Sequence, residues 1–224
     1  MRLHFVVEGQ TEETFVRDLL SPELGAQGIF CDVHCVTTGR GGGRIYRGGM
    51  VSYHHLRRDL DLWMKQDSGP DSWFTTMIDL YKLPADFPGV SDYCRERDPI
   101  KRVRLLEGIR ASDLDNARFI PYIQVHEFEA LLFSDPEGFS IAFPANAKDV
   151  STLKTIRKSF ETPEHIDDGE CSAPSKRIVS LLPDYDKVSA GPLVAKQIGL
   201  PRLRAECLHF DDWLERLERA GKTS

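Results

Sequence analysis

Glu8, Asp79 and Glu127 are the residues of this chain best placed to do chemistry, because each closes a short apolar run. Leu3 to Val7 leads into Glu8, Trp73 to Ile78 into Asp79, and Phe119 to Val125 into His126-Glu127. Two further carboxylates, Glu12 and Glu129, lie close by in sequence. Carboxylates brought together repel one another and lose hydration unless a cation neutralises them. Hard oxygen ligands on irregular backbone suit Mg²⁺ or Mn²⁺, and these ions in turn suit phosphate chemistry. Acidic residues after strands are also common as helix caps or solvated loop residues, so a site requires that the three strand ends converge.

The elements that position these residues follow from apolar periodicity. The three runs read as buried strands, and Ile29 to Val36 has strand character as well. Thr11 is placed to cap a helix carrying Glu12 and Glu13 in its first turn and Phe15, Val16, Leu19 and Leu20 as its apolar stripe. Val51 to Gln66 reads as a helix with Leu56, Leu60 and Trp63 at helical spacing, and Asp98-Pro99 starts another through Val103, Leu105, Leu106 and Ile109. This alternation predicts an α/β fold, a mainly parallel sheet with helices on both faces. Residues just past the strand ends of a parallel sheet share one edge, where ligand sites form. Beyond Pro144 short helical pieces alternate with turn residues; Pro192 marks the start of a helix through Leu193 to Ile198, and Asp211 to Arg219 forms a last one. We expect a single domain over 1–224, with a core of about 1–143 and a helical C-terminal extension of about 144–224.

Composition narrows the function classes. The 224 residues are 41% hydrophobic and 29% charged, enough for a real core under a solvated surface. A formal charge of -6 argues against a general coat for nonspecific duplex binding, though a local basic stripe on an acidic body stays compatible with nucleic acid. Five cysteines without a CxxC pair read as free thiols in a reducing cytosol. With no signal-peptide core and no apolar run near the ~18 residues that a membrane span needs, a cytoplasmic protein without membrane association is expected. Glu8-Gly9-Gln10 does not supply the Asp-x-Asp that a haloacid-dehalogenase-type phosphatase carries after its first strand. A receiver domain needs an acidic pair there, also missing, and His126-Glu127 does not extend to the HExxH of a zinc protease.

Basic residues cluster at one place. Arg40, Arg44 and Arg47 interleave with six glycines (39, 41, 42, 43, 48 and 49) in a segment that reads as a loop. Such a loop lets amides and guanidinium groups approach nucleic-acid phosphates, and a mobile surface loop is the other reading. It has neither the Gly-Lys-Ser/Thr of a Walker A loop nor the context of a dinucleotide site. Lys101, Arg102 and Arg104 read as a solvated helix face, and Trp63, Trp73 and Trp213 as core.

Val7-Glu8-Gly9-Gln10-Thr11-Glu12 after an opening strand resembles the signature that begins Toprim domains, the catalytic fold of topoisomerases, primases and related nucleases. Met77-Ile78-Asp79-Leu80-Tyr81 sits where such domains place Asp-x-Asp, with Tyr81 in place of the second Asp. Ile123 to Leu132, with its His-Glu-Phe-Glu segment, resembles the later acidic segment of the overcoming-lysogenization-defect nucleases. Nearly the whole chain resembles a bacterial family grouped with Toprim, domain of unknown function 4276. This likeness also rests on Arg47-Gly48-Gly49, Leu83 to Gly89, Pro183-Asp184-Tyr185-Asp186-Lys187 and Cys207 to Phe210.

The resemblance implies a Toprim-like fold and a Mg²⁺- or Mn²⁺-dependent nuclease cutting phosphodiester bonds in DNA or RNA. Glu8, Asp79 and Glu127 would be catalytic metal ligands, with Glu12 and Glu129 as further ligands and an ion-activated water as attacking group. Lys187 and Lys176 are candidates for holding the phosphate. An ATPase partner and a role in bacterial anti-phage defence are implied too. The alternative is a catalytically inactive Toprim-like module that binds nucleic acid or an ATPase partner, which Tyr81 favours. A small-molecule phosphotransfer enzyme is a third reading, for which no nucleotide-binding loop is visible.

Overall fold

A computed structural model describes residues 1–41, 44–47, 52–81, 83–93, 95–166, 169 and 172–223 of the chain, with the side chains of 38–47 and 223 left aside. Strand β1 (Arg2–Val7) is apolar enough to be buried on both faces, as a central parallel strand must be. Leu3, Phe5 and Val7 enter one core and Val6 the other, in the strict alternation that strand geometry imposes. Helix α1 (Gln10–Phe15) follows at once and runs through a π-helical stretch, Val16–Leu20, into α2 (Ser21–Gly25). It starts earlier than expected: Gly9 is the cap residue, and Thr11 is buried inside the first turn. The Thr11 side chain is taken up by packing, its Cγ2 lying 3.5 Å from where a Cβ on Gly191 would stand.

Strand β2 (Phe30–Cys35) pairs parallel with β1 and forms one edge of the sheet. The glycine- and arginine-rich segment expected as a loop contains an antiparallel hairpin instead, β3 (Thr37–Gly41) with β4 (Arg44–Arg47). Ile45 and Tyr46 supply strand propensity that the glycines mask on a first reading. Positions 42, 43 and 48–51 of that segment lie outside the described residues, as do the side chains of Arg40, Arg44 and Arg47.

Helix α3 (Tyr53–Gln66), capped by Ser52, precedes the central strand β5 (Ser72–Asp79), which runs parallel to β1 with Val7 opposite Met77. After α4 (Val90–Tyr93) comes α5 (Pro99–Leu114), started as expected by Asp98, whose carboxylate accepts the amides of Ile100 and Lys101 at 3.0 and 3.2 Å. Asp98→Ala is therefore expected to cost about 1 kcal/mol in urea denaturation, the usual worth of an N-cap.

The third expected strand is two, β6 (Phe119–Ile120) and β7 (Ile123–Gln124), both parallel to β5. Pro121 breaks the ladder because it has no amide hydrogen to give. Thr76 bridges the gap: its hydroxyl donates to the Tyr122 carbonyl at 3.0 Å and accepts the Tyr122 amide at 3.1 Å. Among the described residues the sheet order is β2-β1-β5-β6, with β7 paired further along β5.

Helices make up the rest: α6 (Glu129–Leu132), α7 (Ala147–Lys158), α8 (Pro174–Leu181), α9 (Lys187–Ile198), α10 (Leu200–Glu206) and α11 (Leu208–Thr223). Helix α9 begins well before Pro192, capped by Asp186, and the proline stands inside it. An interior proline loses one backbone bond, but the buried Gly191 and Val194 beside it hold the helix against the core. Two cores cover the two faces. Leu3, Phe5 and Val7 pack with Phe15, Phe128, Phe210 and Trp213, whereas Val6, Phe74 and Ile78 pack with Leu56, Leu60, Val103 and Leu106. The fold is thus α/β, a mainly parallel sheet with helices on both sides and a helical C-terminal part, as expected.

One buried polar cluster was not foreseen. His209 Nε2 meets Glu107 Oε1 at 3.0 Å, and Glu164 accepts the amides of His209 and Phe210 at 3.1 Å each. Burial alone would lower the His209 pKa, but the bond to Glu107 and the charges of Glu107 and Glu164 raise it. A raised histidine pKa contributes stability that is complete below about pH 6.5, the unfolded value, and is lost as pH rises through the folded value. The stability difference between wild type and His209→Gln is therefore expected to shrink steadily in urea titrations run upward from pH 6. A difference that grows with pH would contradict this.

Candidate metal centre

Strands β1, β5 and β7 are parallel and adjacent, so their C-terminal ends open on one edge. Glu8 follows β1 directly, and its Oε2 accepts the amide of Asp79, the last residue of β5, at 3.2 Å. His126 takes φ 60°, a left-handed conformation that is strained for a non-glycine residue. This turn folds the chain after β7 back over β5. The Tyr81 amide donates to the His126 carbonyl at 2.6 Å, and the Phe128 amide donates to Asp79 Oδ1 at 2.9 Å. Glu127 Oε1 accepts the Ser175 amide in the first turn of α8. Glu12 in the first turn of α1 and Glu129 in that of α6 complete the ring.

Lys187, at the start of α9, stands among these carboxylates. Its ammonium lies 3.3 Å from Asp79 Oδ2, 3.4 Å from Glu129 Oε2 and 3.9 Å from Glu12 Oε1. Lys176, the other lysine considered for the phosphate, is exposed on α8. Two contributors were missed from sequence alone: the Ser175 amide, and Tyr185, whose hydroxyl reaches Glu129 Oε1 at 3.4 Å. Tyr185 is buried, and its signal in the sequence was its place in the Pro183-Asp184-Tyr185-Asp186-Lys187 segment.

Four of the five carboxylates are buried: Glu12, Asp79, Glu127 and Glu129. Burial pushes Asp79 well above the usual carboxylate range; Lys187 opposes this, and Glu8, Glu12 and Glu129 add to it. Burial also raises Glu129, to about 7, against the pull of Lys187. For Lys187 burial acts downward, but the charges of Asp79, Glu129, Glu12 and Glu127 outweigh it and hold the ammonium above its ordinary value. Among the described residues, the Lys187 ammonium faces three of these acids, Asp79, Glu129 and Glu12.

The donor set fits a hard divalent cation. All five side chains offer carboxylate oxygen, and buried Glu129 Oε2 accepts no hydrogen bond. Asp79, Glu129 and Glu12 stand around the ammonium, and among the described residues the five carboxylates do not converge on one point.

A parallel α/β sheet with carboxylates gathered beyond its strand ends defines the class of protein at hand. The chain belongs to the family called domain of unknown function DUF4276, whose model matches residues 7–218. Among solved structures it is similar to the C-terminal region of the OLD protein of Burkholderia pseudomallei, with 12% identity, 96% of this chain and 98% of that chain covered, and a TM-score of 0.45. It is similar too to the C-terminal region of the Xanthomonas campestris pv. campestris OLD protein, with 14% identity, coverage of 97% and 96%, and a TM-score of 0.41. No curated protein matches the sequence. Likeness at this level has no bearing on chemistry, which rests on the residues themselves. No helix among the described residues is long and apolar enough to cross a membrane.

Proposed function

We propose that the protein is a Mg²⁺- or Mn²⁺-dependent nuclease that hydrolyses phosphodiester bonds in DNA or RNA. The observation that carries this reading is the gathering of buried carboxylates, strand-end Asp79 with Glu12 and Glu129 of the following helices, around Lys187. Glu8, Asp79 and Glu127 would hold the ion, with Glu12 and Glu129 as further ligands. Bound there, the ion would neutralise the phosphate and make a water nucleophilic near neutral pH. The chain itself does the orienting: the Phe128 amide fixes one oxygen of Asp79, and the Ser175 amide fixes one of Glu127. The Lys187 side chain is 40% exposed, and its ammonium would be the group that reaches a phosphate oxygen. Arg40, Arg44 and Arg47 on the β3–β4 hairpin are the proposed contacts to the nucleic-acid backbone. An ATPase partner and a bacterial anti-phage system are the setting that the family resemblance implies.

A second reading is a catalytically inactive module that binds nucleic acid or an ATPase partner. Tyr81 at the second Asp position favours it, and so does the ammonium already seated among the acids. Manganese binding followed by electron paramagnetic resonance separates the two. Wild type is expected to bind Mn²⁺, and Glu8→Ala to weaken binding by at least about tenfold. Absence of binding by wild type would favour the inactive module.

A further inference from the structure

A second group of metal-ligating side chains lies on strands β1 and β2. His4 on β1 and Asp32 on β2 are register partners, and His34 follows two residues along β2. The alternation of strand side chains therefore puts all three on one face of the sheet. Their ligand atoms lie within 4.8 Å of one another. Asp32 Oδ2 is 3.1 Å from His34 Nε2 and 3.7 Å from His4 Nδ1. Two atoms each ~2.1 Å from a tetrahedral zinc ion stand about 3.4 Å apart, between those two distances.

The surroundings prepare the histidines as ligands. The His4 side chain is 8% exposed, and its Nε2 meets Asp67 Oδ2 at 2.9 Å. Its Nδ1, which faces Asp32, is buried without a hydrogen-bond partner. Metal-bound histidines are typically held in this way, the far ring nitrogen fixed by a carboxylate that sets the tautomer. Asp67 is itself gripped by Arg2 through bonds of 2.8 and 2.7 Å. Trp63 stacks on His34 with centroids 3.5 Å apart, which fixes that ring as well. Asp67 caps the C-terminus of α3, whose backbone dipole favours a cation there.

We propose that His4, Asp32 and His34 bind a divalent transition metal of the zinc type, with one coordination position left to water. Asp32 brings one negative charge to the ion, while Asp67, paired with Arg2, orients His4. His4 stands about 13 Å along β1 from Glu8; His34 is nearer, opposite Val6, but the group of ligand atoms that it forms with His4 and Asp32 includes none of the strand-end carboxylates. The site does not depend on nuclease activity.

The test is zinc titration by calorimetry, with the visible absorption of the cobalt-loaded protein reporting nitrogen ligands. One zinc ion is expected to bind wild type and Asp79→Asn alike. Asp32→Ala, at an exposed position that leaves the fold intact, should weaken binding at least about 100-fold, and His34→Ala likewise. Asp67→Asn, which touches no metal, should weaken it roughly 10- to 100-fold. Three results would overturn the proposal: no zinc binding by wild type, binding indifferent to Asp32→Ala and His34→Ala, or binding lost in Asp79→Asn. The last would put the zinc at the strand-end carboxylates.

Discussion

Lys187→Met is expected to lose cleavage and, in metal-free buffer, about 1–3 kcal/mol of stability. Removing one partner of a fully buried ion pair costs roughly 3–5 kcal/mol, because the other charge is left buried and uncompensated. Here the ammonium faces Asp79, Glu129 and Glu12, all buried, but its own side chain is 40% exposed, and water reduces the penalty. A solvated surface lysine replaced by methionine would change stability by less than about 0.5 kcal/mol. The sharper signature is rescue. With the ammonium gone, Mn²⁺ takes over its place as the cation facing Asp79, Glu129 and Glu12, and at about 100 times its Kd it contributes roughly 2.7 kcal/mol. Urea denaturation with and without Mn²⁺ should therefore show a larger gain for Lys187→Met than for wild type. Equal gains would mean that the ion and the ammonium do not share these carboxylates.

The second large effect is at Asp79. Asp79→Asn keeps an oxygen for the Phe128 amide and leaves Lys187 its pairs with Glu129 and Glu12, but removes a charge that burial, Glu8, Glu12 and Glu129 oppose. The fold is expected to be as stable as wild type or more so, while cleavage falls roughly 10²- to 10³-fold or further, the scale seen when one preorganised electrostatic group is lost. Stability up and activity down is the pattern of a site that strains the fold for its chemistry, and a denaturation curve beside a cleavage assay separates it from simple unfolding.

The strand-end acids were legible because a buried strand is a short apolar run and each run here stops at a carboxylate. Their convergence was not, since periodicity says nothing of strand order; it needed β1 and β7 to flank β5. Pro121 is a breaker plain in the sequence, but the continuous apolar run around it read as a single strand. Pro192 misled in the other direction. A proline suits a helix start, but the helix begins at Lys187 because Asp186 caps it through the Ser189 amide, and the proline is carried inside. That shift matters for function, because it sets Lys187 in the first turn of α9, facing acids more than fifty residues away in sequence. The Glu107–Glu164–His209 cluster was invisible for the same reason, being assembled from three distant segments.

The most direct measurement is cleavage of mixed DNA and RNA substrates with Mg²⁺ or Mn²⁺, comparing wild type with Asp79→Asn and Glu127→Gln. The expected result is cutting that requires the metal, stops with chelator and is lost in both variants while their folds persist. Cutting by wild type that survives in both variants would contradict the account and move the chemistry away from the strand ends.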